Sequence, residues 1–173
     1  PLRRNPCCRV IQPDTGTACR VPGCVYDHLD YAAEVLTKQQ QLEGFVRRLP
    51  DSGEAVFLPP VASPSSLHYR NKIVLHCQRN QGEARLGYRQ EPSHHVLDIA
   101  SCPLACAEIN AALSSLRSSA LLNRLRDDAR ITLRHTAHDG AVWWLNDTVP
   151  THKPCDGFLT EDSPIGPLCV PRD

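Results

Sequence analysis

The sequence predicts an α+β domain, a mostly antiparallel sheet with two flanking helices and an irregular cysteine loop at the amino end. Three observations carry this: two stretches with a helical apolar period, three short alternating segments between them, and a hairpin signal after the second. A chain of 173 residues with 41% hydrophobic and 22% charged content is long enough to bury a core.

Residues 1 to 28 are rich in Cys, Pro and Arg and show neither the helical nor the strand period, so they predict a loop needing an external staple. From Asp30 the pattern is helical. Leu29, Ala32, Ala33, Leu36, Leu42, Phe45, Val46 and Leu49 fall mostly on one stripe, and Pro50 stops the run. A Pro and Ser connector spans Leu58 to Pro64. Tyr69 to Cys77, Ala84 to Arg89 and His95 to Ile99 then alternate as strands.

Pro103 marks the expected first turn of a second helix carrying Leu104, Ile109, Leu113, Leu116, Leu121, Leu122 and Leu125, with Arg117 as an ordinary solvated charge. Arg130 to Thr136 and Ala141 to Leu145 flank Asp139-Gly140, residues that tolerate the positive φ of a tight hairpin turn. The last thirty residues promise short strands at best. No repeat or low-complexity block appears.

Nineteen basic side chains balance nineteen acidic ones, so attraction to nucleic acid must come from local clustering. Such clustering exists between His68 and His95. That segment holds Arg70, Lys72, Arg79, Arg85 and Arg89 against Glu83 and Glu91, with four of the eight histidines and Tyr69 and Tyr88 interspersed. Strand periodicity puts Arg70, Lys72 and His76 on one face and Tyr69, Ile73 and Leu75 on the other. Cations over an apolar support suit phosphate contacts, although the same charges could simply solvate a sheet face. His94 and His95 have no acidic partner at a diagnostic spacing and read as exposed turn residues.

No run of eighteen apolar residues and no secretory leader occurs, which argues against a membrane span or secretion. Nine cysteines, an odd number, fit ligands in a reduced compartment better than a disulfide scaffold. Cys7, Cys8, Cys19 and Cys24 crowd the first loop and Cys102 stands far downstream. Four thiolates satisfy zinc or an iron–sulfur cluster equally. Cys77, Cys106, Cys155 and Cys169 are read as packing residues.

The string Cys24-Val25-Tyr26-Asp27-His28-Leu29-Asp30-Tyr31 followed by Lys38-Gln39 is joined, in order, by Tyr69-Arg70-Asn71-Lys72, Leu86-Gly87-Tyr88-Arg89, Val96-Leu97-Asp98-Ile99 and Cys102-Pro103-Leu104. Together with Gly166-Pro167-Leu168-Cys169-Val170-Pro171-Arg172-Asp173 at the end, this series resembles the central domain of RNA uracil-5-methyltransferases, which make 5-methyluridine in ribosomal or transfer RNA. The resemblance covers nearly the whole chain. It implies a cysteine-rich cluster loop over 1–28 and an α+β RNA-recognition body over 29–173, lying between an N-terminal oligonucleotide-binding barrel and a C-terminal methyltransferase domain. Neither flanking domain is expected in these residues; the absence of methionine and the start at Pro1 suggest an excised piece.

By the same resemblance Cys8, Cys19, Cys24 and Cys102 hold a 4Fe-4S cluster, with Cys7 the rival to Cys8. The ten and four residues between the first three are more than the family's usual spacing. Arg70, Asn71, Lys72 and Arg89 become RNA contacts, to 23S rRNA or tRNA. The cysteine nucleophile, the glutamate base and the S-adenosylmethionine pocket belong to the C-terminal domain, so this piece is expected to be inactive alone, without catalytic or cofactor-binding residues of its own. A cytoplasmic, monomeric protein is expected, partnered by its own methyltransferase domain. The competing expectation is a free-standing zinc or iron–sulfur interaction module.

Overall fold

The structure is a computed structural model; it describes residues 9–11, 18–20, 25–26, 28–80, 82–90, 94–145, 158–161, 166 and 168–171. Its centre is a five-stranded antiparallel sheet of β3 (Lys72–Asn80), β4 (Glu83–Arg89), β5 (Val96–Asp98), β6 (Arg130–Thr136) and β7 (Gly140–Leu145), in the order β5-β4-β3-β6-β7. Two-stranded ribbons are formed by β1 (Arg9–Ile11) with β2 (Ala18–Arg20), and by β8 (Phe158–Glu161) with β9 (Leu168–Pro171). The amino-terminal loop is therefore not wholly irregular, because Cys19 pairs with Val10 in the first ribbon.

Strand alternation fixes which side of the sheet is the core. Along β3, Ile73, Leu75 and Cys77 are buried while Lys72, Val74 and His76 between them are half-buried. Cys77 lies opposite Leu86 on β4, and Ile73 and Leu75 lie opposite Leu133 and Ile131 on β6, so all six share the inner face. Against that face packs α2 (Ala107–Ser118), whose Ile109, Leu113 and Leu116 recur at helical spacing and join the same cluster. Cys77 is a packing residue, as expected, and burial pushes its thiol pKa up. Tyr69 is not: it precedes the strand and is 57% exposed.

The second helix is shorter at both ends than its apolar pattern predicts. At the start, residues 103–106 pair instead with 68–70: the Arg70 amide donates to the Leu104 carbonyl at 2.7 Å and the Cys106 amide to the Arg70 carbonyl at 2.9 Å. At the end, Ser118 Oγ donates to Ser114 O and Ser119 Oγ to Leu116 O, bonds that compete with the helical backbone. Leu122 to Arg124 continue as a single 3-10 turn, after which Leu125 is buried in the core with Leu122 packed against it.

Arg117 is not an ordinary solvated charge. Its guanidinium binds Asp98 in a two-pronged pair at 2.7 and 2.8 Å, and Asp98 also accepts the Leu86 amide at 2.8 Å. That carboxylate raises the guanidinium pKa further against the opposing effect of burial. The pair ties α2 to the β4–β5 edge. Gly87 sits at the same edge, where a Cβ would fall 1.7 Å from the Leu97 carbonyl oxygen, so the close β4–β5 approach requires glycine.

The first helix, α1 (Tyr31–Val46), is capped by Asp30, whose carboxylate accepts the Ala33 amide at 2.7 Å. It buries none of its residues. Leu36, Leu42 and Phe45 are 56%, 58% and 64% exposed, and the connector that runs beside the helix leaves Val56, Leu58 and Val61 more exposed still. Leu36 and Phe45, nine residues apart, point to opposite sides of the helix, so the single stripe expected from the sequence does not form, and none of these residues is spent on the sheet.

Three substitutions separate these environments in urea denaturation of the chain. Leu113→Ala should cost about 2–5 kcal/mol because it empties the core. Gly87→Ala should cost at least about 1–3 kcal/mol, the usual range for overpacking, because the clash is with backbone. Leu42→Ala should stay within about 0.5 kcal/mol. A Leu42→Ala loss equal to that of Leu113→Ala would contradict an uncovered α1.

Candidate RNA-contact face and cysteine sites

The four sequence-predicted RNA contacts occupy different settings. Arg70 lies in the backbone pairing that precedes β3, its guanidinium 6.0 Å from the centre of the Tyr69 ring. It is thus outside the strand in which periodicity placed it. Asn71 is exposed, donates from Nδ2 to Glu161 at 3.2 Å, and accepts the His135 amide on its carbonyl at 2.9 Å. Lys72 opens β3 and is half-buried; Arg89 closes β4, exposed and ion-paired with Asp128.

The sheet adds cations that the linear segment did not contain. Lys72 stands directly opposite Arg134 on β6, and His76 directly opposite Arg130, all on the face away from α2. Arg85, opposite Gln78, shares that face. Lys72 and Arg134 are like charges directly across a ladder, an arrangement that is destabilising. Arg134 is compensated by Glu161 of β8, with the ion pair at 2.7 Å, while Arg130 is exposed. The signal for Arg130 and Arg134 was available, since an even spacing in a strand places both on one face; their register against Lys72 was not.

Arg79, counted in the basic segment, has a structural task. Its guanidinium donates to the carbonyls of Asn123 and Leu125 at 2.8 and 3.1 Å and so holds the loop after α2. His94 and His95 are exposed in the turn between β4 and β5, as their lack of acidic partners suggested.

Of the expected cluster ligands, Cys7, Cys8 and Cys24 lie outside the described residues, and Cys19 is described only as backbone in β2. Cys102 is placed. It is 1% exposed, and Tyr88 donates a hydroxyl hydrogen bond to its Sγ at 3.3 Å. Asn110 of α2 clamps its backbone, accepting the Cys102 amide at 2.8 Å and donating to the carbonyls of Cys102, Ala105 and Cys106. Nothing in the sequence marked Asn110 for that role.

Cys106, read from the sequence as a packing residue, is the N-cap of α2 and only half-buried. Its sulfur, a carboxylate oxygen of Glu108 and a ring nitrogen of His135 all lie within 4.8 Å of one another. Burial pushes the Cys106 thiol pKa up, partly offset by the Ile109 amide. The Glu108 carboxyl is held below its ordinary value, first by its own backbone amide and then by the thiol.

Among the described residues no helix is long and apolar enough to cross a membrane. No family model matches the chain. Curated relatives do. An uncharacterized RNA methyltransferase of Thermosynechococcus vestitus is 28% identical over 109 residues, 63% of this chain and 24% of its own length. The 23S rRNA (uracil(1939)-C(5))-methyltransferase RlmD of Thiobacillus denitrificans is 32% identical over 114 residues, 65% of this chain and 26% of its own. The enzyme of the same name in Acidithiobacillus ferrooxidans is 35% identical over 98 residues, 56% of this chain and 22% of its own. The chain thus matches about a quarter of the length of these relatives. On that shared sequence, the chain is similar to RNA methyltransferases, two of them named for uracil-C5 methylation of 23S rRNA.

Proposed function

We propose that this chain is the RNA-contacting, cluster-bearing central domain of an S-adenosylmethionine-dependent RNA uracil-5-methyltransferase, acting in the cytoplasm as a monomer on 23S rRNA or tRNA. One observation carries the RNA-contacting part: basic residues oppose basic residues across the β3–β6 ladder, Lys72 with Arg134 and His76 with Arg130, on the face turned from α2. A fold gains nothing from such pairing. A polyanion does, because each phosphate that replaces a condensed counterion at a cation releases that ion to solvent. Arg70, Lys72 and Arg89 supply charge, and Asn71 both donates and accepts hydrogen bonds.

The relatives' names support the reaction class, and those of the RlmD enzymes support 23S rRNA as the substrate. Catalysis and S-adenosylmethionine binding are assigned to the methyltransferase domain, beyond these residues. That domain is also the proposed partner for the uncovered apolar residues of α1, since the matched relatives have about three quarters of their length outside the match.

Cys8, Cys19, Cys24 and Cys102 are proposed to hold a 4Fe-4S cluster. The fit rests on Cys102, a buried sulfur with a hydroxyl donor from Tyr88 of the kind that tunes such clusters. The other reading, a free-standing zinc or iron–sulfur module, would share these ligands but would not need a cationic sheet face.

RNA binding should be measured by fluorescence anisotropy of a labelled hairpin over a salt series, with wild type, Arg70→Ala, Lys72→Ala, Arg89→Ala and Arg48→Ala. Arg48 is the control because it is exposed on the carboxyl side of α1, whereas Arg117 is tied to Asp98. Each contacting cation removed should flatten the slope of log affinity against log salt by about 0.7. Equal slopes for all five proteins would return the segment to a solvated sheet face.

Anaerobically purified chain should carry iron and acid-labile sulfide, and Cys102→Ala should lose both. Retention of a full iron content in that variant would rule out Cys102 as a ligand. The chain alone should transfer no methyl group and give no heat on titration with S-adenosylmethionine; tight binding would overturn the domain assignment.

A further inference from the structure

We propose a second metal site, separate from the cysteine loop, in which Cys106, Glu108 and His135 bind a zinc ion at the junction of α2 and β6. Two donor atoms come from the start of α2 and the third from β6, yet all three lie within 4.8 Å of one another. In a tetrahedral zinc centre, bonds of about 2.0–2.3 Å put ligand atoms roughly 3.3–3.8 Å apart, so closure needs a rotamer adjustment of the order of 1 Å. Thiolate, carboxylate and imidazole are all zinc ligands, and the mixed set argues against the harder magnesium and calcium.

The backbone has already placed the ligands. Cys106 is fixed because its amide donates to the Arg70 carbonyl and Asn110 Nδ2 donates to its own carbonyl at 3.2 Å. His135 is fixed because its amide donates to the Asn71 carbonyl, and its position on β6 follows Leu133 on the inner face by one strand period. Glu108 is exposed, which leaves a solvent path for the ion and room for water in the fourth position.

Without metal, the Cys106 thiol donates to the Glu108 carboxylate. Zinc binding replaces that proton: the sulfur–hydrogen bond gives way to a zinc–sulfur bond, and the proton leaves to solvent. The amino end of α2 repels a bare cation, but the thiolate and carboxylate together cancel the ion's two charges, and the same helix end favours the thiolate. The bound ion would cross-link α2 to the sheet one hydrogen bond away from Arg70 and Asn71. The site itself does not depend on those residues touching RNA.

The test is site-resolved alkylation of the chain followed by peptide mass spectrometry, with and without zinc. Zinc should slow modification of Cys106 by at least about tenfold, and the protection should vanish in His135→Ala. Exposed Cys169 should react at the same rate throughout. An unchanged Cys106 rate in wild type, or protection that persists in His135→Ala, would overturn the site. Calorimetry on a variant with serine at Cys7, Cys8, Cys19 and Cys24 gives a second measurement. One zinc bound with release of a proton, lost on adding Cys106→Ala, supports the site; zinc binding unaffected by that change overturns it.

Discussion

The backbone pairing of residues 68–70 with 103–106 is the constraint on which the rest of the molecule turns. Three backbone hydrogen bonds, from the amides of His68, Arg70 and Cys106, and a fourth between the His68 ring Nδ1 and the Ala105 carbonyl hold the two segments together, and Asn110 reinforces one segment from inside α2. Their consequences run in every direction. Pro103 is kept out of the helix, Cys102 is left buried beside Tyr88, Cys106 becomes the N-cap, and β3 begins at Lys72. One local pairing thus sets the position of a proposed cluster ligand, of a proposed zinc ligand and of the first proposed RNA-contacting residues.

Antiparallel registry then distributes charge. Because directly opposed residues share a face, the choice of register between β3 and β6 puts Ile73 and Leu75 against Leu133 and Ile131 on one side and makes Lys72 meet Arg134 on the other. The two outcomes are not independent. A slip by one residue would bring the cations into the core, so the apolar inner face enforces a basic outer face that is unfavourable by itself. Glu161 relieves one repulsion by bridging Arg134, which fixes β8 against β6.

Much of this was legible in the residues. Alternation gave β4 and β5 to within a residue, Asp139-Gly140 gave the β6–β7 turn, and Leu113 and Leu116 marked the inner face of α2. What failed did so for physical reasons. The apolar pattern carried α2 back to Pro103 because a helical period cannot register that the amide of Arg70 will claim the Leu104 carbonyl. Arg117 looked like surface charge because its partner Asp98 is on another element. Cys106 does pack against the core, as read from the sequence, but its approach to Glu108 and His135 was not legible because it arises only when β6 folds beside the helix.

The first helix shows the complementary limit. Its apolar residues are spread round the helix, Leu36 and Phe45 falling on opposite sides, whereas Ile109, Leu113 and Leu116 of α2 share one side; from the sequence both helices nevertheless read as parts of one core. Only α2 does. A solitary helix of sixteen residues is marginal in water, and this one is held by local devices: the Asp30 cap, the Glu34–Lys38 pair at 2.7 Å, and the Tyr31 hydroxyl accepting the Ser63 amide at 2.8 Å. Those bonds anchor the connector beside the helix without covering its apolar residues. Leucine and phenylalanine at half exposure or more contribute little to folding these residues alone, which is why the same apolar count stabilises α2 and not α1. The sequence therefore tells that a helix carries apolar residues; the rest of the fold decides whether they are buried within the domain.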